Sequence, residues 1–518
     1  MKREVNPWIV ALTVMLATFM EVLDTSVANV ALPHIAGSLS SSVDEATWVL
    51  TSYLVANAIV LPMSGWFSML IGRKRFYMTC VGIFTASSIL CGFAPSLGAL
   101  ILCRVLQGMG GGALQPVSQA ILVEHFPKEK QGMAMAVYGM GVVLAPVIGP
   151  TLGGWITDNF TWRWIFFINL PFGILSLLLT SLLIFDPPYL LRRTFRDGLR
   201  MDYAGLGLLV LGLGALEVTL DEGQRLDWFG SQFIQVSAIL AFVCLVGLVV
   251  WELRSSAPII DFRVLKERNF TIATTTMLLL GFVLYGSTAL LPLLLQTLLG
   301  YSATQSGLVL SPGGLVILAA MPLVGFLVRK VEPRWLIAFG VTVCSLGLFH
   351  MAGFTLGIDF RTAVDARMVQ SLGLAFLFVP INTTAFSAVA KERTSYASGL
   401  INLARNIGGS SGIATATTLL ARRAQYHQQV LGAHITPLDA GVQSTLHQLI
   451  AQLMSKGSTA ADALIQAQGM VYGLIQRQAS MLAFADAFWI LGGLFLVILP
   501  LLLLMRKTQP HSGPVVME

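Results

Sequence analysis

Apolar residues run in stretches of about twenty along almost the whole chain, broken by short clusters of charge, glycine, proline and asparagine. The stretches are continuous and do not alternate, which is the pattern of a helix in apolar surroundings and not of a half-wet strand or a membrane barrel. A helix of about 20 residues matches the roughly 30 Å hydrocarbon layer of a bilayer, where the backbone must satisfy its own hydrogen bonds. Setting apolar run against breaker predicts fourteen spans, near 8–32, 46–70, 76–94, 98–123, 132–155, 163–185, 203–220, 230–252, 270–298, 303–328, 335–355, 363–388, 397–421 and 483–505. The expected fold class is an all-α membrane protein.

Charge placement tests that threading. Lys2, Arg3, Arg73, Lys74, Arg75, Lys128, Lys130, Arg192, Arg193, Arg196, Arg200, Arg254, Arg263, Lys266, Arg268, Arg329, Lys330, Arg334, Lys391, Arg393, Arg506 and Lys507, 22 of the 32 basic residues, fall on one set of alternate connections and the termini. The other set holds Arg163, Arg225, Arg361, Arg422, Arg423, Lys456 and Arg477. Basic residues collect on the cytoplasmic side of membrane proteins, so both termini are expected there. The net charge of +6 is thus a topology signal and implies no nucleic-acid partner.

Composition agrees. Of 518 residues 55% are hydrophobic and 11% charged, against about 25% charged in a soluble domain, so a water-soluble fold is excluded. Met1 to Pro7 and the apolar stretch behind it have the look of a leader, but the stretch runs on to Pro33 with Glu21 and Asp24 inside it, and a retained signal anchor is expected. Cys80, Cys91, Cys103, Cys244 and Cys344 all fall in predicted spans without metal-ligand spacing, which points away from disulfides and zinc.

An internal repeat organises the chain. Arg104-Val-Leu-Gln107-Gly-Met-Gly110 is echoed by Arg367-Met-Val-Gln370-Ser-Leu-Gly373, and Lys128-Glu129-Lys130 by Lys391-Glu392-Arg393, both at an offset of 263 residues. This predicts two six-span halves, about 1–188 and 266–518, related as parallel repeats, with two inserted spans in 189–265. The segment 422–482 is the one long connection, and the three- and four-residue spacing of apolar positions in Leu446-His-Gln-Leu-Ile-Ala-Gln-Leu-Met454 predicts short helices within it.

Several motifs carry a resemblance. Leu23-Asp24-Thr25-Ser26-Val27-Ala28-Asn29-Val30-Ala31-Leu32-Pro33 resembles the first-span motif of the fourteen-span drug:proton antiporters of the major facilitator superfamily. Gly65 through Gly72-Arg73-Lys74 is similar to the superfamily's loop between spans 2 and 3, with Met69 and Leu70 where an Asp and a basic residue are usual, which leaves the loop's ion-pair latch without its acid. Arg104-x-x-Gln107-Gly108 is similar to motif B, and Pro146-x-x-Gly149-Pro150-x-x-Gly153-Gly154 resembles the antiporter motif C. Trp162-Arg163-Trp164-Ile165-Phe166-Phe167-Ile168-Asn169-Leu170-Pro171 resembles the family's entry to span 6, and the late loop is similar to that of the EmrB branch. The resemblance implies a major facilitator fold in a bacterial inner membrane, no cofactor beyond protons as coupling ion, and a periplasmic adaptor with an outer-membrane channel as partners.

Glu21 and Asp24 stand three residues apart, deep in the first span, where a charge costs about 2.5–3.5 kcal/mol. Protonation relieves that cost, so such carboxyls are suited to taking a proton on one side and releasing it on the other; pairing with a buried arginine to orient helices is the structural alternative. The resemblance casts Arg104 as their partner in the relay. Arg367 and Arg405 are also expected inside the membrane in structural pairs, while Glu217 and Asp365 could be reaching a membrane surface. Polar and aromatic candidates for a substrate cavity are Asn29, Trp48, Tyr53, Asn57, Gln115, Tyr138, Tyr285, Gln296, Asn382 and Phe386. Gly65, Gly72, Arg73, Pro146, Gly149, Pro150, Gly153 and Gly154 are expected to gate or pack, since small residues let helix backbones approach and proline bends a span.

The expected function is proton-driven export of lipophilic or amphipathic small molecules by alternating access, with a dedicated exporter of one metabolite, siderophore or fatty acid as the alternative. An enzyme is not expected: His34, His125 and His350 are isolated, His427, His434, His447 and His511 lie in loop or tail, and no nucleotide-binding motif occurs.

Overall fold

The computed structural model describes residues 6–186, 202–255, 258–387, 389–390, 393–436 and 439–506. Lys2, Arg3, Arg192, Arg193, Arg196, Arg200, Lys391, Glu392 and Lys507, used above, lie outside the described residues. Those described form nineteen α-helices and no strand. In order these are α1 Pro7–Ser38, α2 Val43–Ala46, α3 Trp48–Ile71, α4 Arg73–Phe93, α5 Leu97–Gly111, α6 Leu114–His125, α7 Lys128–Asn159, α8 Trp164–Phe167, α9 Asn169–Leu183 and α10 Tyr203–Glu222. They continue with α11 Gln232–Arg254, α12 Arg268–Thr297, α13 Ala303–Leu327, α14 Pro333–Ala352, α15 Phe360–Ser387, α16 Thr394–Ala433, α17 Ala440–Ser455, α18 Ala460–Leu496 and α19 Ile498–Leu503.

Twelve helices or near-continuous pairs, α5–α6, α8–α9 and α18–α19 among the latter, are long and apolar enough to cross a bilayer. Helix α7, bent by 42° just after Pro146, makes a thirteenth. The span expected at 397–421 lies in α16, where Asn402, Arg405 and Asn406 dilute the apolar run although the first two are buried in the bundle. The architecture is compatible with fourteen crossings. On α11 the most exposed side chains are Val236, Ile239, Phe242 and Val243, as lipid contact requires.

Local sequence sets the helix ends. Asn6 accepts the Trp8 amide at 3.0 Å ahead of Pro7, Ser96 accepts the Ala99 amide at 3.3 Å, and Ser302 with Gln305 forms a reciprocal capping box. Between α3 and α4 the chain reverses within Gly72, whose φ of 85° is left-handed and suits only glycine well.

The expected loop 422–482 is corrected in form. The stretch Leu446–Met454 lies in a short helix, α17, as expected, but the flanks are not loop: α16 continues twelve residues past 421 to Ala433, and α18 begins at Ala460 and runs unbroken into the last span. No proline interrupts 422–436 or 460–482, so nothing stops either helix where the apolar run stops. Only α17 is a separate short helix, and none of its residues is buried.

Packing repeats in the two halves. Among the most extensive contacts, α1–α7 in the first half corresponds to α12–α16 in the second, and α7–α13 joins the halves. Glycines permit these approaches: a Cβ at Gly149 or Gly153 would strike Ser26 or Val27 of α1, and one at Gly408 or Gly412 would strike the carbonyls of Leu278 or Phe282 of α12. Gln119 donates to Asn382 at 3.4 Å, and these two residues are 263 apart, so repeat mates face each other across the join. The same Gln119 accepts from Ser398 at 2.8 Å and Asn402 at 2.7 Å.

At the end of the bundle that carries the basic connections, α3 and α16 meet directly, with Gly65 against Tyr396 and Gly399 against Leu61 and Pro62. Toward the other end α10 bonds to both. Glu222 and Asp221 accept from Thr47 and Thr51 of α3, Glu217 accepts from Ser410 of α16 at 2.7 Å, and Trp228, just after α10, donates to Thr418 at 3.0 Å.

Candidate functional site

Two carboxylates of α1 face different neighbours. Asp24 and Arg104 form an ion pair at 2.5 Å with both side chains fully enclosed. Gln107 donates to Asp24 Oδ1 at 2.9 Å and Asn169, at the start of α9, donates to the same oxygen at 2.6 Å. Arg104 is held further by the Gln107 carbonyl at 2.8 Å and the Val49 carbonyl at 3.0 Å, while its Nη2 has no partner. Asp24 therefore accepts from three donors, and neutralising it would remove both the charge that faces Arg104 and an acceptor for the amides.

Glu21, one turn earlier, turns to the space between the halves. Its Oε1 accepts from Tyr53 at 3.2 Å and Asn57 at 3.1 Å, and its Oε2 accepts from Gln115 at 2.7 Å. The Gln115 carbonyl in turn accepts from Arg405 of α16, so one amide joins an acid of the first half to a cation of the second. Tyr53 links the two carboxylate centres: Arg104 lies over its ring at 4.2 Å while its hydroxyl holds Glu21.

A cavity of about 100 Å³ opens beside Glu21, lined also by Tyr53, Asn57, Gln115, Tyr285 and Glu217. Drug-sized ligands fill roughly 300–1,000 Å³, so the halves must part before such a molecule fits. Of the ten cavity candidates, Tyr53, Asn57, Gln115 and Tyr285 line this space. The others do not line it in this conformation. Asn29 is exposed because it lies five residues past Asp24, on another helix face, and Gln296 is exposed near the end of α12. Tyr138 is buried and stacks on Phe378 at 6.0 Å, Asn382 is bound to Gln119, and Phe386 packs in the apolar core; Trp48 is half-buried outside the cavity.

Among the expected gating residues, Arg73 is buried and pairs with Glu124 at the end of α6. The acid missing at Met69 is thus supplied from another helix, and Met69 itself lies 4.0 Å from the Tyr396 hydroxyl. Gly154 and Pro150 lie on the α7 segment beyond the bend that follows Pro146, and Ser26 donates to the Pro146 carbonyl at 3.4 Å. Asp365 is exposed beside Arg361, whereas Glu217 is 3% exposed and does not reach a surface.

The second half repeats the frame without its acid. Arg367 donates to Gln370 at 2.6 Å and Gln370 donates to Ser287 at 2.7 Å, so Ser287 stands where Asp24 stands, 263 residues on. Arg367 is buried with no ion pair among the described residues. Sequence reasoning overlooked Asn169, the bridging part of Gln115 and Glu217; Asn169 lay inside a quoted motif, but nothing in one dimension brings α10 to the cavity.

Residues 14–413 match the profile of the Major Facilitator Superfamily. The multidrug export protein EmrB of Escherichia coli K12 is 37% identical over 494 residues, 95% of this chain and 94% of that one. The fatty acid resistance protein FarB of Neisseria gonorrhoeae is 37% identical over 505 residues, 97% of each, and EmrB of Haemophilus influenzae 39% over 468 residues, 90% and 91%. In solved structures the fold is similar to the human organic anion transporter MFSD10, with a TM-score of 0.61 at 14% identity over 96% of this chain and 99% of that one. It is similar also to the proton:xylose symporter XylE, with a TM-score of 0.59 at 14% identity over 95% and 94%.

Proposed function

Because the chain belongs to the major facilitator superfamily, we propose that it is a multidrug efflux transporter, driven by protons, that exports lipophilic and amphipathic molecules across a bacterial inner membrane by alternating access. The observation that carries the reading is the enclosed Asp24–Arg104 pair, joined through Tyr53 to Glu21 in the cavity wall. Neutralising Asp24 frees Arg104, which bears on the Tyr53 ring and so on the residue that holds Glu21. A proton at Asp24 and a substrate against Glu21 are thereby made to act on one shared tyrosine. The names of the EmrB relatives support the export of many compounds.

The basic connections face the cytoplasm in this reading, and the chain divides near 188 and 266 into two halves and an inserted pair. Gly65, Gly72 and Arg73 close the cytoplasmic end, while Pro146, Gly149, Pro150, Gly153 and Gly154 let α7 bend and slide against α1. The extension of α16 and α18 docks a periplasmic adaptor that leads to an outer-membrane channel. A cleft of about 400 Å³ between those helices, lined by Gln425, Gln428, Tyr472 and Ile475, supports that placement.

Purified protein in vesicles with an imposed pH gradient should expel a lipophilic dye, and expulsion indifferent to the gradient would sink the antiport reading. FarB favours a second reading, a carrier dedicated to fatty acids. In that case a long-chain fatty acid would compete with the dye whereas unrelated toxicants would not.

A further inference from the structure

The inserted pair of helices contributes one group to the cavity, and it is a carboxylate. Glu217 is more than halfway along α10, 3% exposed, and lines the same space as Glu21, Tyr53 and Tyr285. Its Oε2 accepts from Ser410 at 2.7 Å, and its Oε1 has no hydrogen bond among the described residues. No lysine, arginine or histidine pairs with it there; Arg225, the basic residue nearest in sequence, pairs with Glu222. Glu21 differs, since both its oxygens are occupied by three donors and Arg405 stands behind Gln115. A carboxylate can accept about four hydrogen bonds, so Glu217 keeps capacity that Glu21 has largely spent.

The cavity that Glu217 lines is mixed: Val22, Leu54, Ala58 and Ile413 are aliphatic, Tyr53 and Tyr285 aromatic, Thr25, Asn57, Gln115, Asn406 and Ser410 neutral and polar, and the other carboxylate, Glu21, already has its oxygens occupied. Aliphatic, aromatic and neutral polar groups around a carboxyl with one oxygen left open suit a molecule that is bulky, largely apolar and singly positive, because an aromatic face and a carboxylate both favour a cation and neither favours an anion. We propose that Glu217 is the docking point for the positive charge of lipophilic organic cations, making α10 a specificity element and not only a spacer between α3 and α16. This rests on the export reading above and names a substrate class for it.

Full-length protein in lipid nanodiscs can be titrated with tetraphenylphosphonium and tetraphenylborate, a cation and an anion of nearly equal size and apolarity. Wild type should bind the cation more tightly. Glu217→Gln should weaken the cation roughly tenfold to hundredfold, as expected for loss of a contact to a charged group, and change the anion little. An unchanged preference in Glu217→Gln overturns the proposal, as does a wild type that prefers the anion or binds neither.

Should that variant fail to fold, dicyclohexylcarbodiimide labelling of the wild type supplies the answer by mass spectrometry. The phosphonium should protect Glu217 and the borate should not; equal labelling with and without the phosphonium overturns the assignment. Gradient-driven efflux of a neutral dye is scored separately. Its loss would sink the transport reading, while a missing cation preference sinks only the role given to Glu217.

Discussion

Replacing Asp24 with asparagine keeps the shape of the side chain and removes its charge. In the native protein that charge faces Arg104 at 2.5 Å, Gln107 at 2.9 Å and Asn169 at 2.6 Å, with no water-exposed surface on either member of the ion pair. An asparagine amide offers one acceptor and two hydrogens to neighbours that are all donors, so at least one donor faces a donor. Arg104 would also be left as a buried cation without a counter-charge, a change that costs about 3–5 kcal/mol. Two outcomes follow. Asp24→Asn should unfold earlier in chemical denaturation in detergent, and it should lose gradient-driven dye efflux even where folded protein is recovered. The double variant Asp24→Asn with Arg104→Gln removes both charges, and replacing a buried ion pair by neutral groups is often close to neutral. It should therefore regain most of the stability and none of the transport. Undiminished proton-driven efflux in the single variant would refute the coupling role, and unchanged stability would refute the claim that Asp24 neutralises Arg104.

Ser287→Asp should stabilise the protein by giving Arg367 the acid that Arg104 already has, and a loss of stability on unfolding would show that Arg367 lacks no counter-charge. Gly412→Ala should cost about 1–3 kcal/mol, because its Cβ would fall on the Phe282 carbonyl, while Gly473→Ala, with open space around it, should cost nothing measurable in the same thermal assay. Deleting 440–475 should abolish export from whole cells and leave vesicle efflux intact, since α17 buries none of its residues and α18 buries only Ala463 and Ala467 before 476; continued whole-cell export would dismiss the docking role.

How much of this was legible in one dimension depended on whether a feature is local. Helix existence follows from apolar runs, so the helices long and apolar enough to cross a bilayer, and the buried part of α16, fall where the pattern put them. Asp24, Glu21 and Arg104 are visible as charges in apolar surroundings, a conflict that only function or pairing resolves. In α16 the span and the helix differ in length. Apolarity stops near 421, but the backbone has no reason to stop until Ala433. Helix phase and depth are not encoded in a hydrophobic run: Asn29 shares a motif with Asp24 yet is exposed where Asp24 is buried.

The repeat explains why the two halves could diverge in chemistry while keeping one packing. Arg104 with Gln107 and Arg367 with Gln370 hold the same internal bond, at 2.8 and 2.6 Å, so the arginine–glutamine frame belongs to the helix and is indifferent to its partner. What differs is the residue offered by the first helix of each half, Asp24 in one and Ser287 in the other. The half with Asp24 places a carboxyl at this position, and the half with Ser287 places a hydroxyl. The second half instead sends Arg405 across the join to Gln115, beneath Glu21. The two halves thus share one glutamine, and α10 bonds to both α3 and α16.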